Sequence, residues 1–415
     1  MTLRRILIPL IAAAAGVLAA SATPALAAPT RTCVPGDHAD CRGVDLRYRD
    51  LHGVSLRKAD LRGARLHFAN LRKADLRGAR LDGAVLHHAD LRGARLDGAN
   101  FTDAHLRYAN LRGTRTGSVR VKRTHKQMGA VAGCLTSTFS VQVASFVDAD
   151  LQGADLSNAD DPLTNFAGAN LSGANLTNAM MQQSNFAGAN LTNANVASAW
   201  MGCAFMNGAT MTGIVGGMQP GNPQDLPAGW GVVNNMLVGP GANLGGVWLG
   251  YVGLQGLNLH GANLTGTNLT GSILTGMDLS GINFSNTYLD GAQMANVNLS
   301  GATLSRVSMV GTNLTGANVR NASMWGNNLS TANVTNANFS GSFSDNMWAY
   351  QTVYSNTTCP DGSIASGADT ACFPGNPAQI QPCRKPWKCG MGSTRSATRR
   401  ALPRVTSRMQ AHAAR

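Results

Sequence analysis

The chain has 415 residues and a formal net charge of +13, with 44% hydrophobic, 6% aromatic and 13% charged residues and 48 Gly. Soluble domains carry roughly 25% charged residues and about 7% Gly. This small-residue, low-charge composition argues against a charged disordered chain and against an aromatic-packed enzyme core, and so long a chain needs an elongated fold if it is one domain.

Arg4 and Arg5 precede an apolar run from Ile6 to Ala20, and small residues follow, ending in Ala25-Leu26-Ala27. This order of basic, apolar and A-x-A regions predicts a signal peptide over 1–27 and a secreted or cell-envelope-associated protein. The run is short for a membrane span and no second one follows, so no transmembrane segment is expected after cleavage. Eight cysteines fit export: Cys33, Cys41, Cys134, Cys203, Cys359, Cys372, Cys383 and Cys389. Proximity favours Cys33–Cys41, Cys359–Cys372 and Cys383–Cys389, with Cys134–Cys203 as a fourth pair, although spacing alone leaves connectivity open. Cys383 and Cys389 are too widely spaced for a zinc knuckle.

After an N-terminal disulfide segment over 28–43, Leu recurs every five residues from Leu46 to Leu96 and the series continues through Phe101, Leu106 and Leu111. Ala stands two positions before most of these centres, giving the unit Ala-Asp/Asn-Leu-x-Gly. Five helical steps rotate each Leu by about 140° from the last, and five strand steps flip its side, so neither element buries the series on one face. The centres all point inward only if the chain turns a corner in every unit. Four corners close a square coil of twenty residues, and successive coils stack as β-bridged rungs about 4.8 Å apart. Positions twenty apart then form columns, such as Tyr48, Phe68, His88 and Tyr108, all ring side chains.

The units Ala59–Gly63, Ala169–Gly173 and Ala262–Gly266 resemble the pentapeptide-repeat family. The resemblance implies an all-β, right-handed quadrilateral β-helix, interrupted here into two or three arrays. The stretch Leu226-Pro227-Ala228-Gly229-Trp230 is similar to a segment of exported family members.

A basic array over 44–113 gives way to a basic loop or insertion over 114–143 and then to a second array over 144–213. The two arrays share a phase, as one helix with an extruded loop would. The second array stumbles at Asp160-Asp161-Pro162. A Gly/Pro break over 214–241 contains a hairpin pattern around Asn234-Asn235. A third array follows over 242–342, then a Cys-containing cap over 343–389 and a basic, structureless tail over 390–415.

Charge is segregated. Residues 42–126 hold 20 Lys and Arg against 8 acidic residues, 127–380 hold 2 against 11, and 381–415 hold 9 against none. In the first array Arg72, Arg92 and Arg112 share one outward column, while Arg47, His67, His87 and Arg107 flank the rings Tyr48, Phe68, His88 and Tyr108. These residues are the candidate site for an anionic cell-envelope polymer, with an extracellular protein as another possible partner. The bland alternative is that rings stack for stability and Arg keeps the chain soluble.

No nucleotide, hydrolase or metalloprotease motif occurs, and all acidic residues are Asp, so neither catalysis, cofactor nor metal is expected. Some members of the family mimic DNA and inhibit type II topoisomerases; the signal peptide and the basic first array disfavour that role and DNA binding. The Thr275, Thr315 and Thr335 column suggests an ice or polysaccharide face, interrupted by Ala295.

Overall fold

A computed structural model describes residues 33–116, 143–367 and 372–373. The chain divides into two compact units, Met1–Pro374 and Gly375–Arg415, and every described residue lies in the first. The expected signal peptide, the 117–142 part of the insertion, Cys134, Cys383, Cys389 and the tail lie outside the described residues.

The five-residue period produces the expected square coil. Parallel bridges join residues twenty apart, one on each of four faces: Asp40↔Asp60, Asp45↔Arg65, Asp50↔Asn70 and Ser55↔Asp75. We call these faces A, B, C and D. Each rung is held from both sides, as where Leu46 N–H donates to Arg65 O at 2.8 Å and Arg65 N–H donates to Val44 O at 2.9 Å. The centres and the Ala two positions earlier fill the interior, with Leu61, Ala64, Leu66 and Ala69 fully buried. Two inward residues in five leave no room for a wide core, and in the first array the interior is almost wholly Leu and Ala.

The first and second arrays form one helix. The bridges Asn100↔Ser145, His105↔Asp150, Asn110↔Asp155 and Arg115↔Asp160 carry each face across the interruption in phase. Phe101, Phe146, Phe166 and Phe186 stack inside face A with centroids 4.7, 5.2 and 5.1 Å apart.

The Gly/Pro break contains the expected hairpin. Strand β1 (Gly231–Val233) pairs antiparallel with β2 (Met236–Val238). Asn234 and Asn235 both take positive φ, 48° and 59°, the pair of conformations that suits a two-residue turn. The hairpin lies where one buried core ends and the next begins. Leu237 belongs to the first, Val238 to the second, and Trp230 packs against both.

The third array runs from Asn243↔Asn263 to Asn338↔Thr358. The coil therefore continues beyond residue 342, because backbone bridging persists where the consensus fades. Within it β3 (Ser323–Trp325) pairs in parallel with β4 (Phe343–Asp345). The end is closed by β5 (Tyr354–Thr358) antiparallel to β6 (Ile364–Gly367). Phe373 meets Phe339 edge-on with centroids 5.2 Å apart. Disulfides join Cys33 to Cys41 and Cys359 to Cys372, two of the expected pairs. Cys203 is also disulfide-bonded.

Candidate binding face of the first array

The predicted ring column is a continuous stack on the outside of the coil. Tyr48–Phe68, Phe68–His88 and His88–Tyr108 have centroids 5.2, 4.9 and 5.3 Å apart and planes within 1°, 3° and 18°. Tyr48, Phe68 and Tyr108 stay largely exposed. All four residues occupy the corner position after faces B turn into C, with φ between 54° and 58°. Bulky side chains are uncommon in that left-handed region, at a cost of about 1–2 kcal/mol each. Ring stacking offsets part of it, about 0.5–1.5 kcal/mol per pair. The corner geometry also explains the stacking. A side chain here leans over the residue one coil further on, so the ring of Tyr108 lies over Gly153, where an added Cβ would come within 2.6 Å.

Arg47, His67, His87 and Arg107 flank the stack on face B, and His52, Arg72, Arg92 and Arg112 lie on face C. Their pairing differs. Arg47 clasps Asp45 through Nε at 2.8 Å and Nη2 at 2.6 Å, and Arg92 clasps Asp90 in the same way. The Arg107 Nε donates to Asp150 at 2.5 Å. Asp45 is held down at about 2 by hydrogen bonds from the Arg47 side chain and backbone. Arg72 comes only within 4.0 Å of Asp90, and Arg112 has no carboxylate that close among the described residues. His67 and His87 form a tilted pair 5.2 Å apart. Burial lowers the pKa of both, and neighbouring positive charge, Arg47 beside His67, lowers it further.

Sequence reasoning missed this partition, although the signal was present. Where the unit reads Asp-Leu-Arg, at 45–47, 60–62, 75–77 and 90–92, the Arg folds back on its own Asp. Where it reads Asn-Leu-Arg, at 70–72 and 110–112, no such clasp forms. The column analysis also passed over Lys58, Arg65 and Lys73, which, like Arg57 and Arg115, come within 4.0 Å of no described carboxylate. They belong to faces B, C and D. Face A is different: Asp40, Asp60, Asp82 and Asp103 stand there with Arg42, Arg62 and Arg80. The basic surface therefore wraps three sides of the coil, and the ring ridge divides two of them.

The Asp residues of the second array are engaged in the wall. Asp150 accepts from Arg107 and Asn170, and Asp155 accepts from Ser157 N–H and Asn175. Among the described residues no group of three His, Cys, Asp or Glu side chains is placed to hold a metal ion, and no helix is long and apolar enough to cross a membrane.

A family model described as pentapeptide repeats matches in eight copies over residues 39–78, 79–115, 163–196, 241–276, 274–306 and 308–343. No curated protein matches the chain. Solved structures with the same repeat do. A trypsin-treated form of QnrB1, a plasmid-mediated fluoroquinolone resistance protein, is 15% identical and aligns over 46% of this chain and 86% of its own, with a TM-score of 0.32. HetL, involved in heterocyst differentiation regulation in the cyanobacterium Nostoc sp. strain PCC 7120, is 21% identical over 79% of this chain and 92% of its own, with a TM-score of 0.15. Rfr23 from the cyanobacterium Cyanothece 51142 is 28% identical over 28% of this chain and 86% of its own, with a TM-score of 0.18. With its repeats matched over half of its length and its coils built as a right-handed quadrilateral β-helix, the chain belongs to the pentapeptide-repeat family.

Proposed function

We propose that this protein is an exported, non-enzymatic repeat scaffold whose first array binds an anionic polymer of the cell envelope. The observation that carries the reading is the exposed ring ridge of Tyr48, Phe68, His88 and Tyr108, beside cations that have no carboxylate within 4.0 Å among the described residues, Arg65 on face B, Arg112 on face C and Lys73 at the corner after face C. Rings offer flat surfaces to sugars or bases, and the unpaired cations attract phosphate or carboxylate groups along the same axis. The charges of the clasped Arg47 and Arg92 are matched by Asp45 and Asp90, so the unpaired cations carry the site. Export is supported by the leader-like residues 1–27 and by disulfide-bonded cysteines, which persist in oxidising compartments.

The test is co-sedimentation of the full chain with purified cell envelopes over a salt series, beside a variant carrying Arg65→Ala, Lys73→Ala and Arg112→Ala. The expected result is binding that weakens steeply with salt and is at least about tenfold weaker in the variant. Salt-independent binding, or equal binding by both proteins, overturns the reading.

A further inference from the structure

Asp161 is the one acidic or basic residue wholly buried among the described residues. It stands at a centre position, in the column Leu56, Leu76, Leu96, Thr116, Asp161, Met181 and Met201. Around it the inward positions turn polar: Thr114 and Thr116 on the coil before, Thr164 on its own, and Ser184 on the coil after, all fully buried.

The hydrogen bonds there determine where a proton must be. The Thr114 Oγ1 donates to Leu111 O at 2.9 Å. The same oxygen lies 3.3 Å from Asp161 Oδ2. A hydroxyl has one proton, and the shorter contact claims it, so the longer contact is a hydrogen bond only if the carboxyl supplies its own. Thr116 and Thr164 bond each other at 2.8 Å, and Ser184 Oγ donates to Asp161 O at 3.1 Å. The Oδ1 of Asp161 has no hydrogen-bond partner among the described residues. Among the described residues no cation faces the carboxyl from either neighbouring coil; its other neighbour in the column is Met181, and the one further described titratable group acting on it is Asp160, itself acidic. An unpaired carboxylate in this setting is strongly unfavourable, whereas the neutral acid fits. Burial pushes the Asp161 carboxyl up to about 7, and the neighbouring Asp160 adds to the rise.

We propose that Asp161 is a proton-operated latch in the wall of the solenoid: protonated, it closes face D of the coil ending at residue 161 onto the coil ending at Thr116, and ionised, it opens that face. The main chain it holds is the rung in which Thr116 N–H donates to Asp160 O at 3.2 Å, Asp160 N–H to Thr114 O at 2.8 Å and Asp161 N–H to Met180 O at 3.0 Å. This rung is one of the four that join the basic array to the rest of the helix, so the latch makes the closure of that face of the junction depend on pH.

The test is amide hydrogen exchange on the full chain from pH 5 to pH 9, with rates corrected for intrinsic exchange. The amides to follow are Thr116, Asp160 and Asp161, with Asp75 and Arg95 on the same face as internal controls. In the wild type, protection at the latch falls about tenfold per pH unit once the carboxyl titrates, as one proton requires, while the controls stay level. Asp161→Asn removes the titrating group without changing shape, and Asp161→Leu restores the ordinary centre residue; both keep latch protection level across the range. Level protection in the wild type, or a slope that survives in Asp161→Asn, overturns the proposal. If the Asn variant does not fold, the Leu variant and the contrast between latch and control amides in the wild type decide.

Discussion

The first and third arrays share one backbone and differ in what they hang on its outside. In both, the side-chain oxygen before the centre accepts the backbone N–H after it. Asp45 accepts from Arg47 N–H at 3.2 Å and Asn70 from Arg72 N–H at 3.3 Å, while Asn263 accepts from Thr265 N–H and Asn333 from Thr335 N–H, each at 3.1 Å. In the first array an Arg then clasps the Asp. In the third a Thr hydroxyl returns to the Asn, as Thr335 does at 2.7 Å, and amides ladder from coil to coil, as Asn318 does to Asn298 at 2.9 Å. The turn requires one carboxyl or amide oxygen and is indifferent to charge. The basic outside of the first array is therefore free of any duty to the fold.

The sharpest way to break this comparison uses the two ring ladders. Phe166 is fully buried between Phe146 and Phe186. Phe166→Ala is expected to cost about 3–5 kcal/mol in urea unfolding. Phe68→Ala, in the outer ladder, is expected to cost about 1 kcal/mol, since it loses stacking but relieves little and empties no cavity. Equal costs would mean that the outer rings are structural.

Next in size are the corner glycines. Gly153 has φ +64 and meets the Tyr108 ring, whereas Gly301 has φ +66 and open space around it. Gly301→Ala pays only the left-handed backbone, about 1 kcal/mol, and Gly153→Ala pays that and displaces the ring, about 2–3 kcal/mol in all. The same pair of variants, read by near-ultraviolet circular dichroism, should disturb the Tyr signal only at Gly153.

Acid should separate the arrays more gently. Asp45, Asp60 and Asp75 have lowered pKa values chiefly because their paired Arg side chains donate to the carboxylates. Asp90 is lowered as well; burial is the largest influence on it and opposes the shift, which the Arg92 hydrogen bonds outweigh. A folded-state pKa below the unfolded value gives stability that is present above about pH 4 and is lost as pH falls through the folded value, about 2 for Asp45. The coils of the third array carry Asp278 as their lowered carboxyl. Exchange protection should therefore drop between pH 5 and pH 2.5 in the first array and change less in the third. The smallest effect is expected from Arg92→Ala, whose exposed clasp should leave the unfolding midpoint unmoved within error; a clear loss there would show that the clasps support the wall.

Much of the fold was legible because its information is local. A period of five obliges a corner in every unit, and the ring and Arg columns follow by counting twenty. The Asp-Leu-Arg and Asn-Leu-Arg units were equally readable, but their meaning was not. Whether an Arg reaches outward or folds back depends on side-chain geometry at a corner, which spacing does not describe. Asp161 was visible only as a stumble in the pattern. Its residue type suggests an outward position, and only the phase imposed by neighbouring coils turns it inward.

The square coil, the hairpin at Asn234-Asn235 and the segregation of charge rest on period, turn chemistry and counting, and all three can be read along the chain. Tertiary structure alone decided which coil follows which. Asn100 pairs with Ser145 across the interruption, so Thr114 and Thr116 come to face Asp161, residues no local rule brings together. Stacking joins positions by their place in the column and not by their distance along the chain, and in that way it determines which charges are neutralised and which carboxyl is sealed from water.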